Sequence, residues 1–270
     1  MKKIGFIGCG NMASAIIGGI VGSGKVEADE IIAADPLAET RERASATHGI
    51  HVTADNAEAA RSSEILFLAV KPQMLDLVAD QIRDSLRDEQ LIVSILAGVS
   101  IRKLEETFPT EPGALRRIVR LMPNTPALVG AGMTAACCSI SVPVDDFEEI
   151  CGLCESFGKV EVVPERLFDA VTALSGSSPA TVFVLLEALA DGAVACGMPR
   201  QQAYRMAAQT VLGSARLMQE TGRHPGVLKD MVTSPAGTTA EGLRVLEKCG
   251  FRSAVIESVE AAALRSSQLA

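Results

Sequence analysis

The chain has 270 residues, of which 48% are hydrophobic and 21% charged, a composition typical of a globular protein with a sizeable core. Its net charge of −8 and its lack of Trp argue against a nucleic-acid partner, which requires a basic surface and often aromatic stacking. The seven Cys are scattered, and the C-x-x-C of Cys151 and Cys154 has no second pair at zinc spacing, so we expect these two thiols to be buried packing groups without a redox or metal role.

Signals for export or membrane insertion are not evident in the sequence. The N-terminus has two Lys but no apolar segment of signal-peptide length. No uninterrupted apolar run reaches the roughly 18 residues of a spanning helix. We therefore expect a cytoplasmic protein without a membrane partner, which binds small molecules and other subunits.

The first part of the chain alternates between strand and helix patterns. Several of the apolar runs are nearly continuous, as expected of strands covered on both faces. The predicted strands are KKIGFIG, EIIAAD, a short stretch at 50–52, EILFLAV, LIVSILAG, RIVRLM, GMTAACC and KVEVV. Strands that alternate with helices indicate βαβ units, so residues 1–163 are predicted to form a Rossmann-type, mainly parallel α/β domain.

From Pro164 to the C-terminus every pattern is helical. Residues 179–196 are apolar on nearly all faces, and a helix of this kind has to be buried. The domain 164–270 is small and has little volume in which to enclose such a helix. We therefore predict an all-α domain that packs against a second copy of the chain. The alternative is that it packs only on the first domain.

The motif Gly8-x-Gly10-x-x-Ala13 directly follows the first strand and opens a helix. Gly8 permits a tight turn, Gly10 lets a phosphate approach the backbone, and Ala13 allows close contact between helix and strand. The helix start supplies N–H groups and a partial positive charge. The motif therefore predicts a dinucleotide site.

Asp35 ends the second predicted strand, where an acidic side chain meets the adenine ribose in such folds. Its carboxylate would accept hydrogen bonds from a ribose 2′-hydroxyl and repel a 2′-phosphate, whereas Arg41 and Arg43 could offset that repulsion. NADH and NADPH both stay open, and we expect NADH to be accepted. The ends of the later strands should line the same crevice, at 69–72, 96–98 and 122–126.

Two segments of the helical domain have a small-residue, hydroxyl-rich composition. Glu165 and Thr172 share one face of a helix that starts at Pro164, a polar stripe that is ordinarily solvated. The residues SGSSP are predicted to end that helix at a tight connection, with Pro179 beginning the next. In MVTSPAGTTAEGL, Gly237 frees the backbone before a helix start whose N–H groups can hold a carboxylate, although a simple Thr cap is the alternative.

Four motifs together resemble pyrroline-5-carboxylate reductases. They are MPNTP at 122–126, DAVTALSG at 169–176, HPGVLKD at 224–230 and TSPAGTT at 233–239. The resemblance runs from Gly5 to about Arg265. It implies reduction of 1-pyrroline-5-carboxylate to L-proline by NADPH or NADH, and a Rossmann domain followed by a helical dimerisation domain. It also implies homodimers, which in this family often assemble into larger rings.

The resemblance also assigns residues. Thr239 is the expected catalytic residue, and the substrate would be bound by Glu165, Thr172, Ser177, Gly237, Thr238 and Thr239. The expected cofactor contacts are Gly8, Gly10, Asn11, Met12, Ala13, Asp35, Asn56, Ala69, Val70, Lys71, Pro72, Ala97, Gly98 and Asn124. The chain departs from the common family pattern at Ser178, Thr181 and Ala236, where Gly, Tyr and Gly are usual.

Two rival functions follow from the same features. The first is a β-hydroxyacid or imine dehydrogenase of similar plan. Hydroxyacid enzymes of this type typically use a Lys in the first helix of the second domain, and the predicted helix from Pro164 has none. The second is a protein that binds NAD(P) without turnover, as a sensor or scaffold. Consumption of NADPH in the presence of the imine acid would separate the enzyme from the sensor.

Overall fold

The computed structural model describes residues 2–268, and contacts within the chain divide it into two units. Unit 1 contains the residues up to Ser177 together with the stretch from Ala262 onwards, and unit 2 is Ser178–Ala261. This division lies C-terminal to the domain boundary expected after residue 163. That boundary stays a proposal.

Unit 1 is built on one eight-stranded sheet in the order β3-β2-β1-β4-β5-β6-β7-β8. Neighbouring strands are parallel except for β6 and β7, which are antiparallel, so the predicted mainly parallel sheet is confirmed. The strands are β1 Lys2–Ile7, β2 Ile31–Ala34, β3 His51–Thr53, β4 Ser63–Leu68, β5 Leu91–Ser94, β6 Arg117–Met122, β7 Gly132–Cys138 and β8 Gly158–Val162. Each predicted strand corresponds to one of them.

Helices cover both faces of this sheet and enclose two cores. On one face Phe6 and Phe67 stack with ring centroids 4.6 Å apart, and on the other Phe108 and Phe168 are buried. Successive strand residues point to opposite faces, which is why the strands read as continuous apolar runs. The helices are α1 Asn11–Gly22, α2 Ala38–His48, α3 Asn56–Ser62, α4 Leu75–Ile82, α5 Ile101–Thr107, α6 Val144–Cys154 and α7 Phe168–Val171.

A π-helical stretch, Thr172–Ser177, follows α7 directly and is called the π segment below. The turn expected at Ser175–Ser178 is therefore wrong, because α8 starts at Ser178 without a break in helical structure. Small residues and Pro179 suggested a turn. Here they produce a wider helical turn, the kind of local distortion that is frequent at functional sites.

Unit 2 is entirely helical and buries little in a single chain. Its helices are α8 Ser178–Ala195, α9 Arg200–Thr221, α10 Pro225–Met231 and α11 Thr238–Lys248, followed by α12 Phe251–Ser267, whose end belongs to unit 1. Its buried residues are all Ala, namely Ala190, Ala203 and Ala207. Phe183 and Val184 of α8 are each 65% exposed. These faces lack the cover that such apolar side chains require.

One helical stretch, Glu165–Ala195, is long and apolar enough to cross a membrane by length and composition alone. The sequence suggested no such stretch, because Glu187 and Asp191 interrupt the apolar run. Only 6% of its most apolar window is buried within the chain.

The thiols of the C-x-x-C motif are packing groups of α6. Cys154 is buried, and burial raises the pKa of its thiol, so the unreactive protonated form is favoured. Cys151 is half-buried, and both thiols are free. Among residues 2–268 no three His, Cys, Asp or Glu side chains form a group that could hold a metal ion.

Candidate active site

The glycine loop after β1 has the geometry of a phosphate site. Gly8 has a φ of +100°, and a methyl group there would lie 2.6 Å from the carbonyl oxygen of Ala69. The space beside the Cα of Gly10 is open to at least 4 Å. No side chain caps α1, so the first N–H groups of this 12-residue helix are available to a ligand. The residues present therefore fit the pyrophosphate of a dinucleotide.

The expected cofactor residues lie along one edge of the sheet. Strands β1 to β6 are mutually parallel, so their carboxyl ends share that edge. The residues that follow these ends are Gly8, Asp35, Asn56, Ala69, Val70, Lys71, Pro72, Ala97, Gly98 and Asn124. The structure therefore brings the predicted cofactor set together, as the topology of a doubly wound sheet requires.

Asp35 braces the turns at this edge. Its Oδ2 accepts a hydrogen bond from the Cys9 amide at 3.0 Å, and its Oδ1 accepts one from the Leu37 amide at 3.0 Å. Each carboxylate oxygen has a further lone pair that can accept a ribose hydroxyl. Arg41 donates from Nη1 to the carbonyls of Asp35 and Pro36 at 2.7 and 3.0 Å. The same turn thus has a carboxylate, which suits the ribose 2′-hydroxyl of NADH, and a guanidinium, which suits the 2′-phosphate of NADPH. It therefore excludes neither cofactor.

Two predicted cofactor residues have side chains that are already bonded within unit 1. Asn56 donates from Nδ2 to Oε1 of Gln81 at 2.6 Å. Asn124 is 8% exposed and uses both ends of its amide. Its Oδ1 accepts from the Met133 amide at 2.9 Å, and its Nδ2 donates to the carbonyl of Ser175 at 3.0 Å. Asn124 therefore links the end of β6 to the π segment.

Glu165 is not part of a solvated stripe. Its Oε1 accepts a hydrogen bond from Nη1 of Arg120 at 2.8 Å and another from the Ile101 amide at 2.7 Å. The guanidinium of Arg120 lies over the ring of Phe168, 4.5 Å from its centroid. Thr172 donates to the carbonyl of Phe168 at 2.8 Å, so its hydroxyl also has an internal partner.

Sequence reasoning missed Arg120. The residue lies in RIVRLM, which reads as an apolar buried strand, and its side chain is indeed only 8% exposed. A charged residue in the middle of such a strand needs a partner, and that requirement was the available signal. Its partner Glu165 lies 45 residues further on, which no local pattern indicates.

The loop between α10 and α11 ends at an uncapped helix start. Gly237 donates its amide to the carbonyl of Ser234 at 3.0 Å, and a methyl group at Gly237 would collide with the Ser234 hydroxyl. No side chain caps the 11-residue helix α11. Within the described part of the chain, the hydroxyls of Thr238 and Thr239 have no hydrogen-bond partner. This helix start therefore offers free N–H groups and two free hydroxyls. The alternative, a simple Thr cap whose hydroxyl accepts a backbone N–H, is not formed here.

Comparisons with known proteins agree on one family. The model for "pyrroline-5-carboxylate reductase dimerisation" matches residues 165–269, and that for "NADP oxidoreductase coenzyme F420-dependent" matches residues 3–98. Pyrroline-5-carboxylate reductase of Escherichia coli (strain K12) is 46% identical, over 99% of this chain and 98% of that protein.

Solved structures agree with the sequence relatives. The Plasmodium falciparum pyrroline carboxylate reductase with NADP bound is 33% identical, with a TM-score of 0.88 over 99% of this chain and 98% of that one. The reductase from Coxiella burnetii, also 33% identical, has a TM-score of 0.90 over 100% and 98% of the two chains. The identity to these relatives extends over nearly the whole chain, which therefore belongs to the pyrroline-5-carboxylate reductase family of oxidoreductases.

Proposed function

We propose that this chain reduces 1-pyrroline-5-carboxylate to L-proline with NADPH or NADH, as the last step of proline synthesis. The observation that carries the proposal is the start of α11, where free N–H groups and the unpartnered hydroxyls of Thr238 and Thr239 lie together. A small anion with a hydrogen-bonding nitrogen next to it matches this arrangement. Family membership supplies the reaction class.

The cofactor would be held at the carboxyl edge of the sheet. Gly8, Gly10 and the first turn of α1, from Asn11 to Ala13, would receive the pyrophosphate, and the turn holding Asp35 and Arg41 would receive the adenine ribose. The remaining contacts would come from Asn56, Ala69, Val70, Lys71, Pro72, Ala97, Gly98 and the backbone of Asn124, whose side-chain amide is bonded at both ends. When bound, the reduced nicotinamide would supply the hydride, and the protein would orient it towards the substrate.

The substrate carboxylate would be fixed by the amides of Gly237 to Thr239. The partial positive charge of the helix start favours an anion there. The hydroxyl of Thr239 would hydrogen-bond to the ring nitrogen, orienting it and relaying a proton. Protonation of the imine makes the adjacent carbon electrophilic, so the main task of these residues is to hold that carbon in line with the donor, at about 3–3.5 Å.

Glu165, Thr172 and Ser177 would lie near the substrate ring. Because Oε1 of Glu165 already accepts two hydrogen bonds, a direct contact with substrate would use its other oxygen. The hydroxyl of Thr172 donates to the backbone, but its oxygen can still accept a hydrogen bond. Ser177 is exposed at the end of the π segment.

The assembly we propose is a homodimer formed through residues 164–270, in which a second copy covers the exposed apolar faces of α8 and α9. A domain model named for dimerisation and the poor burial of unit 2 support this proposal. Such cover also accounts for the apolar stretch Glu165–Ala195 without a membrane. We further propose that dimers join into larger rings in the cytoplasm, without nucleic-acid or membrane partners.

The test begins with NADPH absorbance, followed on adding the imine acid to the wild-type chain and repeated with NADH. Turnover is expected, whereas cofactor binding without turnover would favour a sensor. Thr239→Ala should then lower kcat by at least about tenfold, or 1.4 kcal/mol in activation free energy, with little change in NADPH affinity. Thr239→Ser keeps the hydroxyl and should retain most activity. Equal loss of kcat and NADPH affinity, or no loss, would remove Thr239 from its assigned role.

A further inference from the structure

We propose that Asn124 and Arg120 are positioning residues for the reduction, because they fix the π segment and the helical turns before it to the end of β6. This inference rests on the proposed function, which puts Thr172 and Ser177 beside the substrate. Neither of the two residues needs to touch substrate. Their effect would pass through the backbone of residues 165–177.

The first contact satisfies a carbonyl that the sequence leaves without its usual donor. In an α-helix the carbonyl of Ser175 would accept from the amide of residue 179, but Pro179 has no N–H. Nδ2 of Asn124 donates to that carbonyl at 3.0 Å instead. Oδ1 of the same amide accepts from the Met133 amide at the start of β7. A single buried side chain therefore ties the π segment to two strands.

The second contact holds the beginning of the same helical region. Arg120 reaches Glu165 at 2.8 Å and stacks on Phe168, seven and four residues before Thr172. The side chain of Arg120 is 8% exposed, and its Nε has no acceptor within the described residues. An ion pair whose guanidinium is buried with an unsatisfied donor gives little net stability, since desolvation of the guanidinium offsets the Coulomb attraction. Its contribution is instead to fix a unique geometry for residues 165–168.

Direct packing links these two contacts. A methyl group on Gly176 would lie 2.8 Å from Cε of Met122, so the π segment approaches closely the last residue of β6. Arg120, Met122 and Asn124 are spaced two residues apart in the chain, and each of them lies against a residue between 165 and 176. The sheet edge proposed for the cofactor and the segment proposed to border the substrate are thus joined by one strand end.

The main test is Asn124→Asp, which keeps the acceptor for the Met133 amide but sets a carboxylate oxygen against the carbonyl of Ser175. NADPH affinity would be measured from the fluorescence of the bound cofactor, and kcat expressed per NADPH-binding site, which discounts misfolded protein. We expect kcat to fall by at least about tenfold, with the dissociation constant for NADPH within about twofold of wild type. A weaker NADPH affinity at unchanged kcat would instead make the side chain of Asn124 a cofactor contact and overturn the proposal, as would no change in either quantity.

The second test uses Arg120→Met and Arg120→Lys, with Arg117→Met as the matched control. Arg117 lies on the same strand, but its ion pair with Asp146 is about one-third exposed. Arg120→Met should lower kcat per site by at least about tenfold, Arg120→Lys should recover part of it, and the control should keep wild-type kcat. Equal effects of Arg120→Met and Arg117→Met would overturn the proposal. If the wild type itself did not turn over the imine acid, the proposed function would fail instead.

Discussion

The two units of this chain differ in how far each completes its own core. In unit 1, strands β2 and β5 are buried along their whole length, and Phe6, Phe67 and Phe108 are fully enclosed. In unit 2, only three Ala are buried, while Phe183 and Val184 stay exposed. The fold of unit 1 is therefore specified by its own residues, whereas unit 2 presents surfaces that require another partner.

The units also differ in which types of residue adopt positive φ angles. The positive φ angles of unit 1 all occur at Gly, including Gly8 and Gly98. Among residues 2–268, the one residue other than Gly with a positive φ is Ala236, at +55°, in the proposed substrate loop of unit 2. An L-residue in this region is strained by about 1–2 kcal/mol. Unit 2 thus carries a strained turn where the family commonly has Gly.

The largest expected effect comes from placing a charge on the uncovered face of α8. Phe183→Asp removes an apolar contact worth about 1.5–3 kcal/mol and buries a carboxylate in its place. A two-fold symmetric interface would suffer the change twice. We expect the dimer dissociation constant to rise by at least about a thousandfold, or 4 kcal/mol. Sedimentation velocity over a concentration series measures it.

The matched control is Gln201→Asp, which adds the same charge at an exposed polar position at the start of α9. It should stay dimeric. Unit 1 of the Phe183→Asp variant should still bind NADPH, because its core is complete in one chain. A Phe183→Asp variant that remained a dimer would contradict the assignment of this face, and one that lost the whole fold would contradict the independence of unit 1.

An intermediate effect is expected from relieving the strained turn. Ala236→Gly removes the strain at positive φ but increases the entropy of the unfolded chain by about 0.5–1 kcal/mol, so we expect a stabilisation of up to about 1 kcal/mol. Ala240→Gly, inside α11, is the control for the same chemical change, and it should destabilise by about 1 kcal/mol. Urea unfolding of both variants measures the difference. Equal destabilisation by the two substitutions would mean that Ala236 is not strained in solution.

The sheet could be predicted from the sequence because its signals are local. Each strand is a short apolar run, and the glycine motif lies between the first strand and its helix, so the mainly parallel direction of the strands follows from general rules of βαβ connection. The carboxyl-edge location of the cofactor residues follows from the same topology. Their roles, like those of Thr239 and its neighbours, stay predictions.

The contacts that hold the site together could not be predicted, because they join residues far apart in the chain. Ser175 to Ser178 has turn composition, yet helical structure continues there, and Asn124, 51 residues away, donates to the carbonyl of Ser175, for which Pro179 has no N–H. Arg120 reads as one more residue of an apolar strand, because its partner Glu165 lies 45 residues further along the chain. Both cases concern a polar group whose partner is set by the tertiary structure, which periodicity does not encode.

The smallest expected effect tests whether unit 1 depends on a polar contact at its surface. His48 and Ser14 join α2 to α1 through a hydrogen bond of 2.7 Å, and burial lowers the pKa of His48 below its usual 6.5. The unfolded chain therefore binds a proton as the pH falls through about 6.5, before the folded chain does, so stability is lost on acidification.

His48→Gln keeps a polar partner for Ser14 but cannot titrate. Between about pH 7.5 and 5.5 we expect the variant to lose less stability than wild type, by well under about 1 kcal/mol, because the half-buried ring of His48 is screened by solvent. The exposed His51→Gln serves as control and should keep the wild-type slope, since it leaves His48 in place. A His48→Gln variant with the wild-type slope would show that this contact does not contribute to the acid sensitivity of unit 1.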